Sequence, residues 1–349
     1  MKYFLLPFSF LYGLVTDVRN YLYGIGFWKE NTFYLPVINV GNLTVGGTGK
    51  TPHVEYLIRL LKDNYKVTTL SRGYGRKTKG FRIADDSSNA QTIGDEPYQY
   101  FLKFKNEIDV IVDEDRVEAI SAVSHQMRDI EVVILDDAFQ HRAVKPSLNL
   151  LLIDYSRPIY EDFTFPAGRL RERRHGAKRA DVVIITKCED SLPITKQNEI
   201  EKKLRPYLNQ NTPIFFTKII YGKPQNCRSG VEDIAFEKVI LLSGIANPKP
   251  FETYAKREFN VVNHLIYKDH HDFSEEDLLK IKSQNYSNRT VILMTEKDMV
   301  KFIPFLNHES LKDVELFYLP IEVGFLNDEM ETNFNKLILS HVSLKLNSH

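Results

Sequence analysis

The chain has 349 residues, 43% of them apolar and 26% charged, enough for two α/β domains and unlike the make-up of a disordered chain. Lys plus Arg equals Asp plus Glu at 46 each, so the formal net charge is zero and the bulk positive footprint of a nucleic-acid binder is absent. Two cysteines, Cys188 and Cys227, form no metal-ligand cluster, and a reducing compartment suits them.

From the N-terminus, Tyr3 to Val15 is strongly apolar and aromatic but broken by Pro7, Ser9 and Gly13. It falls short of the ~20 apolar residues that span a bilayer. No small-residue cleavage site follows, and aromatic residues run past Asp17 and Arg19 to Trp28, which argues against a secretory signal. Written as a helix, Ser9, Gly13, Thr16, Asn20 and Gly24 share one narrow polar stripe, and apolar side chains cover the rest. Such an amphipathic helix belongs either in a core or in a membrane interface, and pattern alone leaves both open.

Residues 35–52 run from a buried-strand pattern into Gly46, Gly47, Thr48, Gly49, Lys50 and Thr51. This is the back half of a phosphate-binding loop. Glycines let consecutive amides turn toward phosphate oxygens, Lys50 would reach the β/γ-phosphates, and the Thr51 hydroxyl would ligate Mg²⁺. Pro52 suits the first turn of the helix that follows. The usual first glycine, five residues before Gly49, is Thr44 here.

Beyond the loop, helical patterns alternate with apolar runs at 66–70, 108–112, 131–135, 148–153, 182–185 and 214–220. That alternation predicts a doubly wound, mostly parallel sheet, with ligands at the carboxyl ends of its strands. Residues 221–230 read as a linker, and a second, smaller α/β domain is expected over 231–349, closing on a helix from Glu331 to Leu346. Residues 1–30 form the N-terminal helix of a first domain that continues through 31–220.

Four apolar residues before Asp136 and Asp137 place two carboxylates at a strand end, where they can hold Mg²⁺ beside Thr51. Gly94-Asp95-Glu96-Pro97 predicts a helix start, at which Asp95 is either an N-cap or a base for a substrate hydroxyl. Asp269-His270-His271-Asp272 offers a histidine oriented by an acid, or simply surface histidines. Thr186-Lys187-Cys188-Glu189 is similar to the base-reading loop of GTP-binding proteins except for its Glu, and Thr295-Glu296-Lys297-Asp298 is ambiguous. Two basic clusters, Arg72 to Lys79 and Arg169 to Arg174, point to anionic substrate groups, to anionic lipid head groups, or to solvated loops.

Taken in order, Val40 to Pro52, Ser71 to Arg76, Gly94 to Pro97, Asp136 to His141, Pro166 to Glu172, Asp269-His270 and Met294 to Asp298 resemble the tetraacyldisaccharide 4'-kinase family. That family shares the Thr44 departure. The resemblance implies a two-domain P-loop enzyme using ATP and Mg²⁺ to phosphorylate the 4'-hydroxyl of an acylated glucosamine disaccharide 1-phosphate in lipid A biosynthesis. It implies a peripheral enzyme at the cytoplasmic face of the bacterial inner membrane, resting on its N-terminal helix. It makes Asp95 the catalytic base with His270 as partner and Lys50 as a catalytic cation. Thr51, Asp136, Asp137 and Glu172 become metal candidates, and Arg72, Tyr74, Arg76, Arg116, Gln140, His141 and Arg171 substrate candidates. Asp95 and His270 lie on opposite sides of the linker, so domain closure would couple substrate binding to chemistry. The alternatives are a soluble P-loop kinase for a small metabolite and a nucleotide-switch ATPase.

Overall fold

A computed structural model describes residues 2–127, 129–232, 236–284 and 290–347; Met1 of the first predicted segment, and 233–235, 285–289 and 348–349 of the last, lie outside them. The chain runs α1 (Leu6–Gly24), β1 (Val37–Asn42), α2 (Lys50–Leu61), β2 (Val67–Ser71), β3 (Arg82–Ile83), α3 (Ala90–Ile93), α4 (Asp95–Phe104), β4 (Asp109–Val112), α5 (Arg116–Gln126), β5 (Val132–Asp136) and β6 (Leu148–Asp154). It continues through β7 (Val182–Thr186), α6 (Ile194–Leu204), β8 (Ile214–Tyr221), β9 (Gln225–Asn226), β10 (Lys238–Ser243), α7 (Lys249–Glu258) and β11 (Val261–Ile266). The last elements are α8 (Glu275–Gln284), β12 (Thr290–Thr295), α9 (Glu296–Phe302), β13 (Leu316–Leu319), β14 (Ile321–Phe325) and α10 (Asp328–Asn347).

Two sheets organise these elements. The larger has nine strands in the order β14-β8-β7-β6-β1-β5-β2-β4-β3, and the smaller has five, β11-β10-β12-β13-β9. Pairing is parallel except for β14, β3 and β9, the short or late strands at sheet edges. The central strands β1, β5, β6 and β7 are buried along their whole length, as continuous Val/Ile/Leu runs covered on both faces require.

The C-terminal boundary differs from the expected one. After β13 the chain crosses back, β14 pairs with β8, and α10 packs Phe334, Ile338 and Val342 into the core of the larger sheet. The outgoing connection is also shorter than 221–230. Tyr221 still belongs to β8, Gln225 already pairs with Tyr318, and Gly222 N–H donates to the Pro320 carbonyl at 2.9 Å. Two adjacent strands of chain therefore join the units.

α1 settles a different question. Its polar stripe faces the protein: Ser9 Oγ accepts from Ala167 N at 2.8 Å, and Asn20 Nδ2 donates to Glu172 at 2.7 Å. A Cβ at Gly13 would sit 2.7 Å from Arg173 Nε, so a larger residue there would have to displace the Arg173 side chain. The apolar face points outward, with Phe4 80%, Phe10 65% and Val15 61% exposed. That inversion leaves the apolar face outside the core of this chain. Among the described residues no helix is long and apolar enough to cross a membrane.

Three helices are tied by buried charge. Lys103 of α4 lies 2.7 Å from both Glu55 of α2 and Glu296 of α9, whose side chains are nearly inaccessible. Gln99 Nε2 donates to the other Glu55 oxygen at 2.8 Å, and Arg59 reaches Glu55 at 3.3 Å.

His53 is the buried base of the glycine loop. Its Nδ1–H donates to the Gly49 carbonyl at 2.6 Å, and Nε2 lies 3.0 Å from the Thr217 hydroxyl. Burial pushes its pKa down to about 4; the bond to Gly49 opposes this and the Lys187 charge adds to it. Unfolded, the ring titrates near ~6.5. The neutral ring's contribution is therefore complete above that pH and is lost as pH falls toward 4, of the order of 3 kcal/mol across the window. His53→Gln should make the fall in thermal unfolding temperature between pH 6.5 and 4.5 shallower than in the parent; an identical slope contradicts this.

Candidate active site

Strand β1 ends in Asn42, and the chain then turns through Gly46 and Gly49 at φ +107° and +85°, conformations that cost a residue with a Cβ dearly. Nothing lies within 4 Å of where a Cβ of Gly47 would be, so the concave side of the loop is open. The other side is fastened. Asn42 Nδ2 donates to Thr48 Oγ1 at 2.9 Å, and Thr186 Oγ1 donates to the Thr48 carbonyl at 2.8 Å. Lys187 Nζ donates to the Gly47 carbonyl and pairs with Asp154 at 3.0 Å. Burial lowers the Lys187 pKa while Asp154 opposes the shift, and the Asp154 carboxyl is held below its usual range chiefly by Lys187 against its own burial.

Beside the loop, β5 delivers Asp136 and Asp137. Asp136 is buried, takes a hydrogen bond from Tyr100 at 2.9 Å, and has a second oxygen without a partner. Its pKa is raised to about 7 by burial, against the pull of Lys50. Asp137 titrates below its usual value: burial alone would raise it, but Lys50 at 3.6 Å and Arg171 override that. Arg171 grips Asp137 through two hydrogen bonds of 2.9 and 3.1 Å and Gln140 Oε1 through a third at 3.1 Å.

The opposite wall comes from the second unit. His270, at φ +56°, places Nδ1 3.1 Å from Asp95 Oδ2 and packs edge-on against Tyr74 at 5.4 Å. Asp95 opens α4 but makes no capping bond; Gly94 occupies the cap, so the capping role is excluded. The glycine loop, both units and the connection between them line one cleft of about 1540 Å³.

The chain matches the family model described as "Tetraacyldisaccharide-1-P 4'-kinase" over residues 1–342. A tetraacyldisaccharide 4'-kinase of Flavobacterium johnsoniae is 45% identical over 99% of this chain and 98% of its own length. One from Parabacteroides distasonis is 43% identical, over 99% of this chain and 96% of its own. The solved structure of LpxK from Aquifex aeolicus in complex with ATP is similar at TM-score 0.74 and 31% identity, over 98% of this chain and 99% of that one.

The chain belongs to the tetraacyldisaccharide 4'-kinase family. It is a P-loop, ATP-using phosphotransferase with an alcohol acceptor, in lipid A biosynthesis.

Of the residues the sequence singles out for this kinase, Gly46 to Thr51, Arg72, Tyr74, Arg116, Asp136, Asp137, Gln140, His141, Arg171 and His270 line the cleft. Two lie elsewhere. The Arg76 side chain is almost inaccessible and bonds to Glu114 at 2.7 Å and the Gly80 carbonyl at 2.9 Å, bracing its own loop. Glu172 is buried with both oxygens taken by Arg179, Asn20 and Gln140, so no lone pair is left to face a cation. Its charge anchors α1 and the Gln140 segment instead.

Asp154 and Lys187 are the functional neighbours that sequence reasoning missed or gave little weight. The signal was present: β6 ends on an aspartate as β5 does. Asp154→Asn should free Lys187 from the loop and weaken ATP binding about tenfold, the cost of one charged hydrogen bond, with kcat changed far less. Calorimetric titration with ATP checks this; unchanged affinity contradicts it.

Proposed function

We propose that this kinase transfers the γ-phosphoryl group of ATP-Mg²⁺ to the 4'-hydroxyl of an acylated glucosamine disaccharide 1-phosphate, with Asp95 as general base and α1 lying in the surface of the membrane that holds the substrate. The observation that carries the reading is the Asp95–His270 pair, made across the two units, whose His270 lines the same cleft as the glycine loop.

The donor set suits Mg²⁺. That ion asks for one or two carboxylates or hydroxyls, with substrate phosphates and water completing its shell. Asp136 offers a buried oxygen that has no other partner, and Thr51 lines the same cleft. Bound there, Mg²⁺ would neutralise charge on the phosphate oxygens. Its binding requires the Asp136 carboxylate, a form that burial disfavours below about pH 7.

The chain's own residues supply the rest. Lys50 and the loop amides hold the triphosphate, and Arg171, locked by Asp137, presents a fixed guanidinium edge to the same space. Asp95 takes the proton of the acceptor hydroxyl as the new O–P bond forms and the bond to the leaving ADP oxygen breaks. His270 orients Asp95. Arg116 has a buried guanidinium nitrogen without a partner and lines the cleft, which suits an anionic group of the substrate; His141, held neutral by burial and the Arg116 charge, lines it too.

The acyl chains explain α1. A helix with polar residues turned inward and Phe, Leu and Val turned outward is stable only if a second apolar phase covers it, and a bilayer interface provides one. A bacterial inner membrane, approached from the cytoplasm where ATP is, fits that geometry.

Labelled ATP and the acylated disaccharide 1-phosphate should give a product heavier by one phosphate, and Asp95→Asn should slow its formation about 10²–10⁴-fold. Phosphate released to water alone, or undiminished transfer by the variant, overturns the assignment. A triple variant Leu11→Ser, Val15→Ser, Val18→Ser should lose cosedimentation with phospholipid vesicles while keeping its unfolding temperature. Equal sedimentation of variant and parent refutes the membrane role of α1.

A further inference from the structure

The Asp95–His270 contact uses one imidazole nitrogen; the other is also engaged. His270 Nε2 lies 3.2 Å from Lys297 Nζ. A lysine ammonium has only donors, so this contact needs a lone pair on Nε2. The ring proton must then sit on Nδ1, where it is donated to Asp95 Oδ2 at 3.1 Å. The opposite tautomer and the imidazolium both turn an N–H toward the ammonium, and Asp269 Oδ1, 4.0 Å from Nε2, is too far to accept it.

Lys297 is fixed for this task from both units. Its ammonium pairs with Glu96 Oε1 at 3.1 Å, next to Asp95 on α4, and stands 3.8 Å from Asp269. Burial alone would lower the Lys297 pKa, yet Glu96 and Asp269 hold it above its usual value, so the cation persists. The preceding residue, Glu296, is bound by Lys103 of α4 at 2.7 Å. The helix that carries Lys297 is thus fastened to the helix that carries Asp95.

We propose that Lys297 is a positioning residue that holds His270 in its neutral, Nδ1-protonated tautomer, so that Asp95 receives one fixed hydrogen bond and keeps its remaining lone pairs for the acceptor hydroxyl. This rests on Asp95 being the base, but the tautomer can be read independently of turnover.

The test uses full-length protein labelled with ¹⁵N-histidine, with long-range ¹H–¹⁵N spectra assigned by a His270→Gln control. The parent should show His270 with a protonated Nδ1 and an unprotonated Nε2. In Lys297→Met that pattern should collapse to exchanging tautomers or imidazolium. Its kcat should fall about tenfold or more, as for one misaligned hydrogen bond, with KM for ATP and glycolipid within about twofold of the parent. Lys297→Arg should restore the spectrum and most of kcat. An unchanged imidazole pattern in Lys297→Met overturns the proposal, whether activity survives or KM for the glycolipid rises. If Asp95→Asn stays active while the Lys297→Met spectrum shifts as expected, the base assignment fails and the tautomer assignment stands.

Discussion

Two buried carboxylates, Glu55 and Glu296, share the ammonium of Lys103, and the geometry of the cleft hangs on that arrangement. An ion removed from water must be paired and hydrogen-bonded, and breaking such a pair from one side costs about 3–5 kcal/mol. Glu55 rides on the helix that begins at Lys50, Lys103 on the helix that begins at Asp95, and Glu296 on the helix of the second unit that carries Lys297. None of the three can slide without exposing an unpaired charge to an apolar interior. The phosphate end, the proposed base and Lys297 are therefore located by one interaction. Burial raises the Glu296 pKa, helped by Glu55 and opposed by Lys103, as expected of two carboxylates competing for one cation.

The inside-out helix α1 is part of the same construction. Tyr12 donates to the Arg171 carbonyl at 3.0 Å, Asn20 donates to Glu172, and Arg19 donates to the Gln140 carbonyl. Arg171 holds Asp137 in place, and Gln140 accepts a hydrogen bond from Arg171. A helix with an apolar outer face thus backs the floor of the cleft through Tyr12, Arg19 and Asn20. Those donors meet backbone carbonyls and a buried carboxylate, which apolar side chains there would leave unsatisfied.

Much of this is legible in the sequence, and the limits have physical reasons. Continuous apolar runs marked the buried parallel strands because both of their faces are covered, and the glycine loop was plain because few other demands explain Gly46 to Thr51. β3 and β9 have two residues each, too few for any period to show. The return of β14 and α10 to the larger sheet is a tertiary choice between two apolar surfaces, and no local pattern encodes it. Glu172 and Arg76 look like ligand-binding residues in a one-dimensional reading. Only coordinates reveal that Arg179 and Glu114, respectively, have claimed them. Asp95 shows the converse: a strong cap residue by type, it leaves the cap to Gly94 because its carboxylate is turned to a histidine 175 positions away.

The polar atoms left without partners say what the folded chain is built to receive. Asp136 Oδ1, Arg116 Nε and His141 Nε2 are all buried and unbonded, and their residues line one cleft. Each such atom costs about 1–3 kcal/mol when nothing satisfies it. Backbone conformation adds to this: of four non-glycine residues at positive φ among those described, Asp137, Lys187 and His270 stand at the cleft and only Lys105 lies away from it. Such conformations persist where surrounding contacts over-determine them, and here the ion pairs with Lys50, Asp154 and Asp95 do so. A buried carboxylate oxygen of Asp136 and a buried guanidinium nitrogen of Arg116, both on residues lining one cleft, suit the cation and the anionic group proposed for it above.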